Sequence, residues 1–525
     1  MTLNRTESAI ERLTALDAIE RLSEQDASLF TAEIAEQEMV AERLGWVSLA
    51  EDTADVAEQL RSLRDVARER QVTTVVLVGM GGSSLATHVM ASVVGGGFAD
   101  LLVADTTCPE DLVRLVATLD FEHALIVVAS KSGTTAEVGV IGSILFDRAA
   151  MALGHDEACR RFVAISDSDT PLARHAAEQG WWQVVEARSS VGGRFSALSM
   201  FGLVPSALAG IDFELIVERA VAAERGCRTS ETFANPAAQL ASFIYDAYQD
   251  GRDKLVLVFS DQYRPFGLWL EQLIAESLGK DGRGIVPIVT TRERYGTSIA
   301  DDHLVVVLRT DDDDDLAGYR NLLEQTGPVV RFTIDDPHDI GAEFVRWEFA
   351  VALLGVLMGV NPFDQPDVEV AKRATRAALA GELPTTDTLP LDALVTTVRP
   401  SDYLAILAYL PNDSHTAAEL ERLASLLEGA LKVPVTIQMG PRYLHSTGQL
   451  HKGGPSSAVF VVVGGCTEAA GFAPPQADLP VPGEAYTLRT LFDAQRAGDI
   501  SSLVLLGRRV FVADSIAAVR AALSR

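Results

Sequence analysis

A chain of 525 residues, 48% of them hydrophobic, is long enough for roughly two to four domains with sizeable cores. Its formal net charge of −29 sets it against nucleic acid and anionic membranes as partners. There is no membrane-length apolar run free of glycine and charge, the N-terminus is polar and acidic, and Cys108, Cys159, Cys227 and Cys466 form no CxxC pair; the expectation is a cytoplasmic protein without a zinc site or a disulfide framework.

Residues 1–70 read as a helical cap: Ile10, Leu13, Leu16 and Ile19 recur at helical spacing, and no catalytic cluster is visible among them. From Val72 the pattern alternates between strand and helix. Strands are expected at Val75–Val78, Leu101–Ala104, Ala124–Ala129 and Arg161–Ile165, with helices at Ser83–Val94, Glu110–Leu119, Thr135–Arg148 and Pro171–Glu178. Buried apolar strands separated by helices mean a parallel sheet covered on both faces, with ligands bound beyond the strand C-termini.

Three polar turns lie at those ends. Gly79–Ser84, GlyMetGlyGlySerSer, joins a strand to a helix, where backbone N–H groups crowd around an anion. It is not a dinucleotide fingerprint, because Ser84 stands where GxGxxG needs glycine, and no GKS or GKT follows. Ser130–Thr135, SerLysSerGlyThrThr, sets hydroxyls and a lysine at a helix N-terminus, which suits a sugar phosphate. Ser166–Thr170 is the third. Further on, Gly192–Ser196 lets the backbone approach a ligand and presents Arg194 as a fixed planar cation.

A second unit starts near Asn235, with strands at Leu255–Phe259, Ile285–Val289, Leu304–Leu308 and Val329–Ile334 and helices at Pro265–Leu278 and Ala342–Met358. Gln272 and Glu276 share a face of the first of these helices. A carboxylate buried there needs a partner or a task; pairing with Lys280 or Arg283 is the plain alternative to a working base. Gln365 and Lys372 share a face if their helix starts near Pro366. Asp311–Asp315 reads as a solvated turn, lacking the spacing of a calcium loop.

Residues 381–390 have linker composition. A third unit follows, with strands at Tyr403–Leu410, Val435–Gln438, Ala458–Val463 and Arg509–Ala513 and a helix at Ala417–Leu431. Its loop Leu444–Pro455 holds His445, His451 and Lys452, without the pattern of a zinc site. Thr487–Ser524 shows no chemistry. The expected domains are residues 1–70, 71–230, 231–380 and 391–525.

These motifs together resemble the glucose-6-phosphate isomerase family: GlyMetGlyGlySer, SerLysSerGlyThrThrAlaGlu, GlyGlyArgPheSerAlaLeuSer, TrpLeuGluGlnLeuIleAlaGluSerLeuGlyLysAspGlyArgGly, AsnProPheAspGlnProAspValGluValAlaLys and HisSerThrGlyGlnLeuHisLysGlyGlyPro. The likeness is nearest to the isomerase half of transaldolase–glucose-6-phosphate isomerase fusions and runs from about residue 40 to the C-terminus; no transaldolase half is present.

The resemblance implies an α/β fold of tandem sugar-isomerase (SIS) domains, parallel sheets flanked by helices, and glucose 6-phosphate as substrate. It implies Gly82, Ser83, Ser130, Lys131, Ser132 and Thr135 as the cradle for sugar and phosphate, Gln272 and Gln365 as substrate-binding amides, and Glu276 as the base. Arg194 is implied beside the enediolate, and His445 with Lys372 at ring opening. No metal or redox cofactor is implied.

One departure stands out. In the ordinary family the histidine motif lies between the Glu and Lys motifs, where this chain has Tyr295–His303; here it follows Lys372. Because the family's sites are shared across a dimer, the expectation is a homodimer with a composite site. Two other readings of the same fold are an isomerase that also takes mannose 6-phosphate and a non-catalytic sugar-phosphate sensor, although the latter predicts loss of catalytic groups that are all present. A nicotinamide-dependent dehydrogenase fails at Ser84.

Overall fold

The Val-, Ile- and Leu-rich runs form strands, as expected of segments buried on both faces. The computed structural model describes residues 8–290, 294, 301–310, 313, 327–382, 386–465 and 478–523. Among these, three parallel sheets are present. The first contains β1 (Thr74–Val78), β2 (Asp100–Ala104), β3 (Ala124–Ala129), β4 (Phe162–Ser166) and β5 (Gln183–Glu186), in the order β2-β1-β3-β4-β5. The second contains β6 (Lys254–Phe259), β7 (Val286–Thr290), β8 (His303–Arg309) and β9 (Val329–Thr333), ordered β7-β6-β8-β9. The third contains β10 (Tyr403–Ala408), β11 (Val435–Met439), β12 (Ala458–Val463) and β13 (Arg509–Ala513), ordered β11-β10-β12-β13. In each sheet the first strand lies between the second and third, so all three share one winding that the residue pattern did not reveal.

The sequence reading missed β5, whose burial alternates and whose core contribution is Val185. The periodic N-terminal run is two helices, Ala9–Ala15 and Ala18–Ser23, broken where Asp17 takes φ 49°; Leu16 is exposed there. The linker is tied down as well: the Leu389 N–H donates to the Val510 carbonyl, pairing Leu389 with the edge of the third sheet. The acidic run 311–315 lies outside the described residues apart from Asp313, which accepts from Ser260 Oγ. Of the segment 295–303, only 301–303 is described, and His303 is buried at the start of β8.

Shared cores join the sheets. One core runs from Leu13 and Ile19 through one face of the first sheet (Val75, Leu77, Leu125) and the helix Ile340–Met358 to Leu255 and Val306. The opposite face of the second sheet, with Val256 and Val307, packs on Ala405, Leu407 and Phe460 of the third. The other face of the first sheet gathers Leu479, Val481, Leu488 and Leu491 from the C-terminal region. Packing against both earlier sheets brings the C-terminal unit to the strand ends where the polar turns cluster.

A buried carboxyl sits at this junction. Glu271, on the helix Arg264–Leu278, is 5% exposed and accepts from Gln438 Nε2 at 3.1 Å. Burial pushes its pKa up to about 8. The folded chain therefore keeps a proton that the unfolded chain releases near the ordinary carboxylate value, and this group's contribution to stability falls as pH rises between the two. Glu271→Gln is expected to raise the thermal midpoint at about pH 9 by more than at about pH 5, measured by calorimetry.

Candidate active site

The strand order of the first sheet reverses between β1 and β3, which opens a crevice at their C-terminal ends. The turns after these strands line a cavity of about 1150 Å³. After β1, Gly81 takes φ +54°, and a Cβ there would meet His445 O at 2.5 Å and Gln272 Nε2 at 2.6 Å. At Gly82 a Cβ would overlap the Gly193 carbonyl, so glycine lets the Gly192–Ser196 turn close against this one. Ser83 completes this wall.

After β3, Ser130 and Thr135 pair their hydroxyls at 3.0 Å, and Ser132 and Thr134 pair theirs at 2.9 Å. Thr135 is the N-cap of the helix Ala136–Leu153 but caps none of its N–H groups with its side chain, and Ala136 is exposed to the cavity. The turn therefore offers hydroxyls and a positive helix end to an anion. Ser130 itself stands one hydrogen bond behind the lining.

Lys131 lines the same cavity. Its Nζ donates to Asp167 Oδ2 and to the Ser189 carbonyl, both at 2.7 Å, so its charge is already paired at the cavity edge. Burial lowers its pKa, and Asp167 works against that shift. Arg43 lines the same cavity from the N-terminal region, where no functional residue was expected.

Arg194 is 4% exposed, and its guanidinium is held on every side. Nε donates to Ser277 Oγ at 2.9 Å and to the Pro362 carbonyl at 3.1 Å; Nη2 donates to the carbonyls of Pro362 at 2.5 Å and Asp364 at 2.8 Å. Nη1 donates to Gln365 Oε1 at 2.9 Å and stands 3.4 Å from Glu276 Oε1. Arg194 is therefore the partner of Glu276, in place of Lys280 or Arg283: Lys280 bonds Asp364 and Arg283 bonds the Met358 carbonyl. Gln365 is not on a helix face with Lys372, because the helix begins later, at Val368–Leu379, yet both residues line the cavity.

Gln272 Nε2 donates to Glu276 Oε2 at 3.1 Å and to the His445 carbonyl at 2.9 Å. Its Oε1 is buried without a partner, an acceptor that a bound hydroxyl would satisfy. Lys372 faces the same space from the helix Val368–Leu379.

His445 ends the short 3₁₀ turn Arg442–His445 that follows β11. It lines the cavity of its own chain together with Glu276, Arg194 and Lys372.

The ring Nε2 stands 3.0 Å from Glu137 Oε1. Burial opposes the imidazolium, but the Glu137 carboxylate outweighs it and holds the His445 pKa above the usual histidine range. Burial likewise raises the Glu137 pKa, and the charged ring at His445 more than reverses this, leaving it below the ordinary carboxylate value. Each partner thus favours the charged form of the other, with Nε2 turned to Glu137.

Glu137 was missed as a site residue although it belongs to a quoted motif. An acidic residue in the first turn of a helix is ordinary for the helix dipole, which hid it. The usable signal was a carboxylate two residues beyond a turn read as an anion cradle. His451 is buried against Phe460 and does not line the cavity. Among the described residues no group of three His, Cys, Asp or Glu side chains could hold a metal ion, and no helix is long and apolar enough to cross a membrane.

The profile of the family described as phosphoglucose isomerase matches residues 24–296. Glucose-6-phosphate isomerase of Parabacteroides distasonis is 32% identical over 389 residues, covering 64% of this chain and 87% of that protein. A probable glucose-6-phosphate isomerase of Natronomonas pharaonis is 30% identical over 412 residues, covering 71% and 94%. Among solved structures, a hypothetical protein from Thermus thermophilus has a TM-score of 0.62 at 25% identity, covering 71% of this chain and 97% of that one. Glucose-6-phosphate isomerase from Chlamydia trachomatis shares the fold with a TM-score of 0.60 at 20% identity, covering 71% and 87%. With the family profile spanning more than half its length, this chain belongs to the phosphoglucose isomerase family.

Proposed function

We propose that the chain is a glucose-6-phosphate isomerase, interconverting glucose 6-phosphate and fructose 6-phosphate through a cis-enediol(ate). The observation that carries this reading is the convergence of Glu276, Arg194, His445 and Lys372 on the cavity that also holds the hydroxyl-rich turn at the N-terminus of the helix Ala136–Leu153.

The chemistry follows from the groups present. The phosphate takes the hydroxyls of Ser132, Thr134 and Thr135, with Ser130 supporting Thr135 from behind, and the uncapped helix end, and its binding fixes the carbon chain beside Glu276. The sugar arrives as a ring. Opening it requires a proton on the ring oxygen and the loss of one from the anomeric hydroxyl as the bond between them breaks and a carbonyl forms. The charged His445 supplies the first proton and solvent entering the cavity accepts the second, with Lys372 lining the same space. Glu276 then removes the proton from the carbon next to the carbonyl and returns it to the neighbouring carbon, so one carboxylate serves both steps. Arg194, already immobilised by Ser277, Pro362 and Asp364, offers positive charge where the enediolate oxygen develops and needs no reorganisation to do so. Gln272 Oε1 is the acceptor for a sugar hydroxyl.

The test is conversion of fructose 6-phosphate to glucose 6-phosphate in the presence of a chelator, with wild type beside Glu276→Gln. Activity in the wild type and a loss of about 10³-fold or more in the variant is expected. A folded but inactive wild type would favour the sensor reading, and equal activity in both would remove Glu276 as the base. Mannose 6-phosphate in the same assay separates the broader isomerase from the strict one. If each site is complete within one chain, mixing His445→Ala with Glu276→Gln chains recovers no activity, whereas recovery would restore the shared site.

Glu137 sets the pH range of ring opening. The groups facing His445 are Glu137, Glu276 and Lys372, and Glu137 is the largest influence holding the ring charged. Glu137→Gln removes that influence while burial remains, so the imidazolium deprotonates at lower pH. The alkaline limb of the kcat profile is expected to move to lower pH in this variant, and an unmoved limb would detach Glu137 from the step.

A further inference from the structure

We infer that Gln495, on the C-terminal helix Leu488–Leu505, is a positioning residue for ring opening: it fixes the Glu137 carboxylate that orients His445, and it is itself fixed by Thr107. This rests on the isomerase reading above. The helix carries no motif, and nothing in its sequence pointed to the site.

Three hydrogen bonds in series, the first two buried, carry the inference. Thr107 Oγ1 donates to Gln495 Oε1 at 2.6 Å, Gln495 Nε2 donates to Glu137 Oε1 at 2.7 Å, and the same Oε1 receives His445 Nε2 at 3.0 Å. Thr107 is fully buried, Gln495 is 3% exposed and Glu137 8%. The direction of the chain is forced. A carboxylate can only accept, so the Gln495 amide must turn its NH₂ to Glu137 and its oxygen to Thr107, whose hydroxyl then donates. Both acceptor positions of Oε1 are thus assigned, one to the amide and one to the imidazole.

The choice of a neutral amide matters chemically. A lysine or arginine here would compete with His445 for the carboxylate and weaken its hold on the ring. An apolar side chain would leave one oxygen lone pair buried and unpaired and free the carboxylate to rotate. An amide stabilises the carboxylate without adding charge, so the imidazolium keeps its full counter-ion. The chain also spans the fold: Thr107 follows β2, Glu137 follows β3, His445 follows β11, and Gln495 lies on the helix before β13. The C-terminal unit therefore supplies both the histidine and the group that orients the histidine's partner.

The test separates ring opening from proton transfer. Fructose 6-phosphate reacts from a closed furanose ring, whereas its 5-deoxy analogue has no hydroxyl with which to close that ring. Isomerisation of each is followed by proton NMR for wild type, Gln495→Met and Thr107→Val. Gln495→Met is expected to lose about tenfold in kcat on fructose 6-phosphate with KM changed less than about twofold, and less than about threefold on the analogue. Thr107→Val shows a smaller loss with the same selectivity, and it carries the test alone if Gln495→Met does not fold. Equal losses on the two sugars, or none on either, would overturn the role of Gln495. A wild type inactive on both would overturn the isomerase reading first.

Discussion

A charged guanidinium almost fully removed from water is the constraint around which this molecule is arranged. Burying such an ion costs several kcal/mol unless its donors and its charge are answered. Arg194 meets that requirement only by drawing three separate segments together: the turn that bears it, the end of the helix Arg264–Leu278 with Glu276 and Ser277, and the loop Pro362–Gln365. These belong to the first sheet, the second sheet and the segment leading to Lys372. Satisfying one cation thus assembles most of the site, and the same bonds leave the cation rigid where negative charge would develop.

The C-terminal unit is fastened to the rest by buried polar ties as well as by apolar packing. Lys254 of β6 bonds Asp253, Asp302 and the Ser401 carbonyl, and Arg294 bonds Glu428. Inside the unit, Lys452 pairs with Asp499 at 2.7 Å, and Tyr443 donates to the same carboxylate, with all three side chains buried. This network underlies the short turn that ends at His445. Breaking one member of a buried pair leaves an uncompensated charge, so such ties specify one placement of the loop more sharply than apolar packing alone. A histidine acting on a ring oxygen needs that precision, because small errors of position cost large factors in rate.

The strongly acidic chain must still attract an anion. With a formal charge of −29 the overall field is unfavourable, and the charge of Lys131 is shared with Asp167. The compensation is local: an uncapped helix end, two pairs of hydroxyls, and Arg43, Arg194, Lys372 and Arg376 at the cavity. Short-range donors in a partly desolvated crevice outweigh a distant field that salt screens within about 10 Å.

The sequence by itself determined the apolar strands, since runs such as Ala124–Ala129 and Ala458–Val463 are apolar on both faces, though not the half-exposed β5, and it located the turns after β1 and β3 where glycine and hydroxyls allow nothing else so well. It also singled out Glu276, Arg194, His445 and Lys372, whose motifs are local. The partners of the site residues were decided by tertiary structure, because they lie far apart along the chain: Arg194 for Glu276, Asp167 for Lys131, Glu137 for His445, and Gln495 for Glu137. That His445 lines the cavity of its own chain was equally beyond local pattern. It depended on the third sheet packing against the second through faces that, residue by residue, look like any other buried strand.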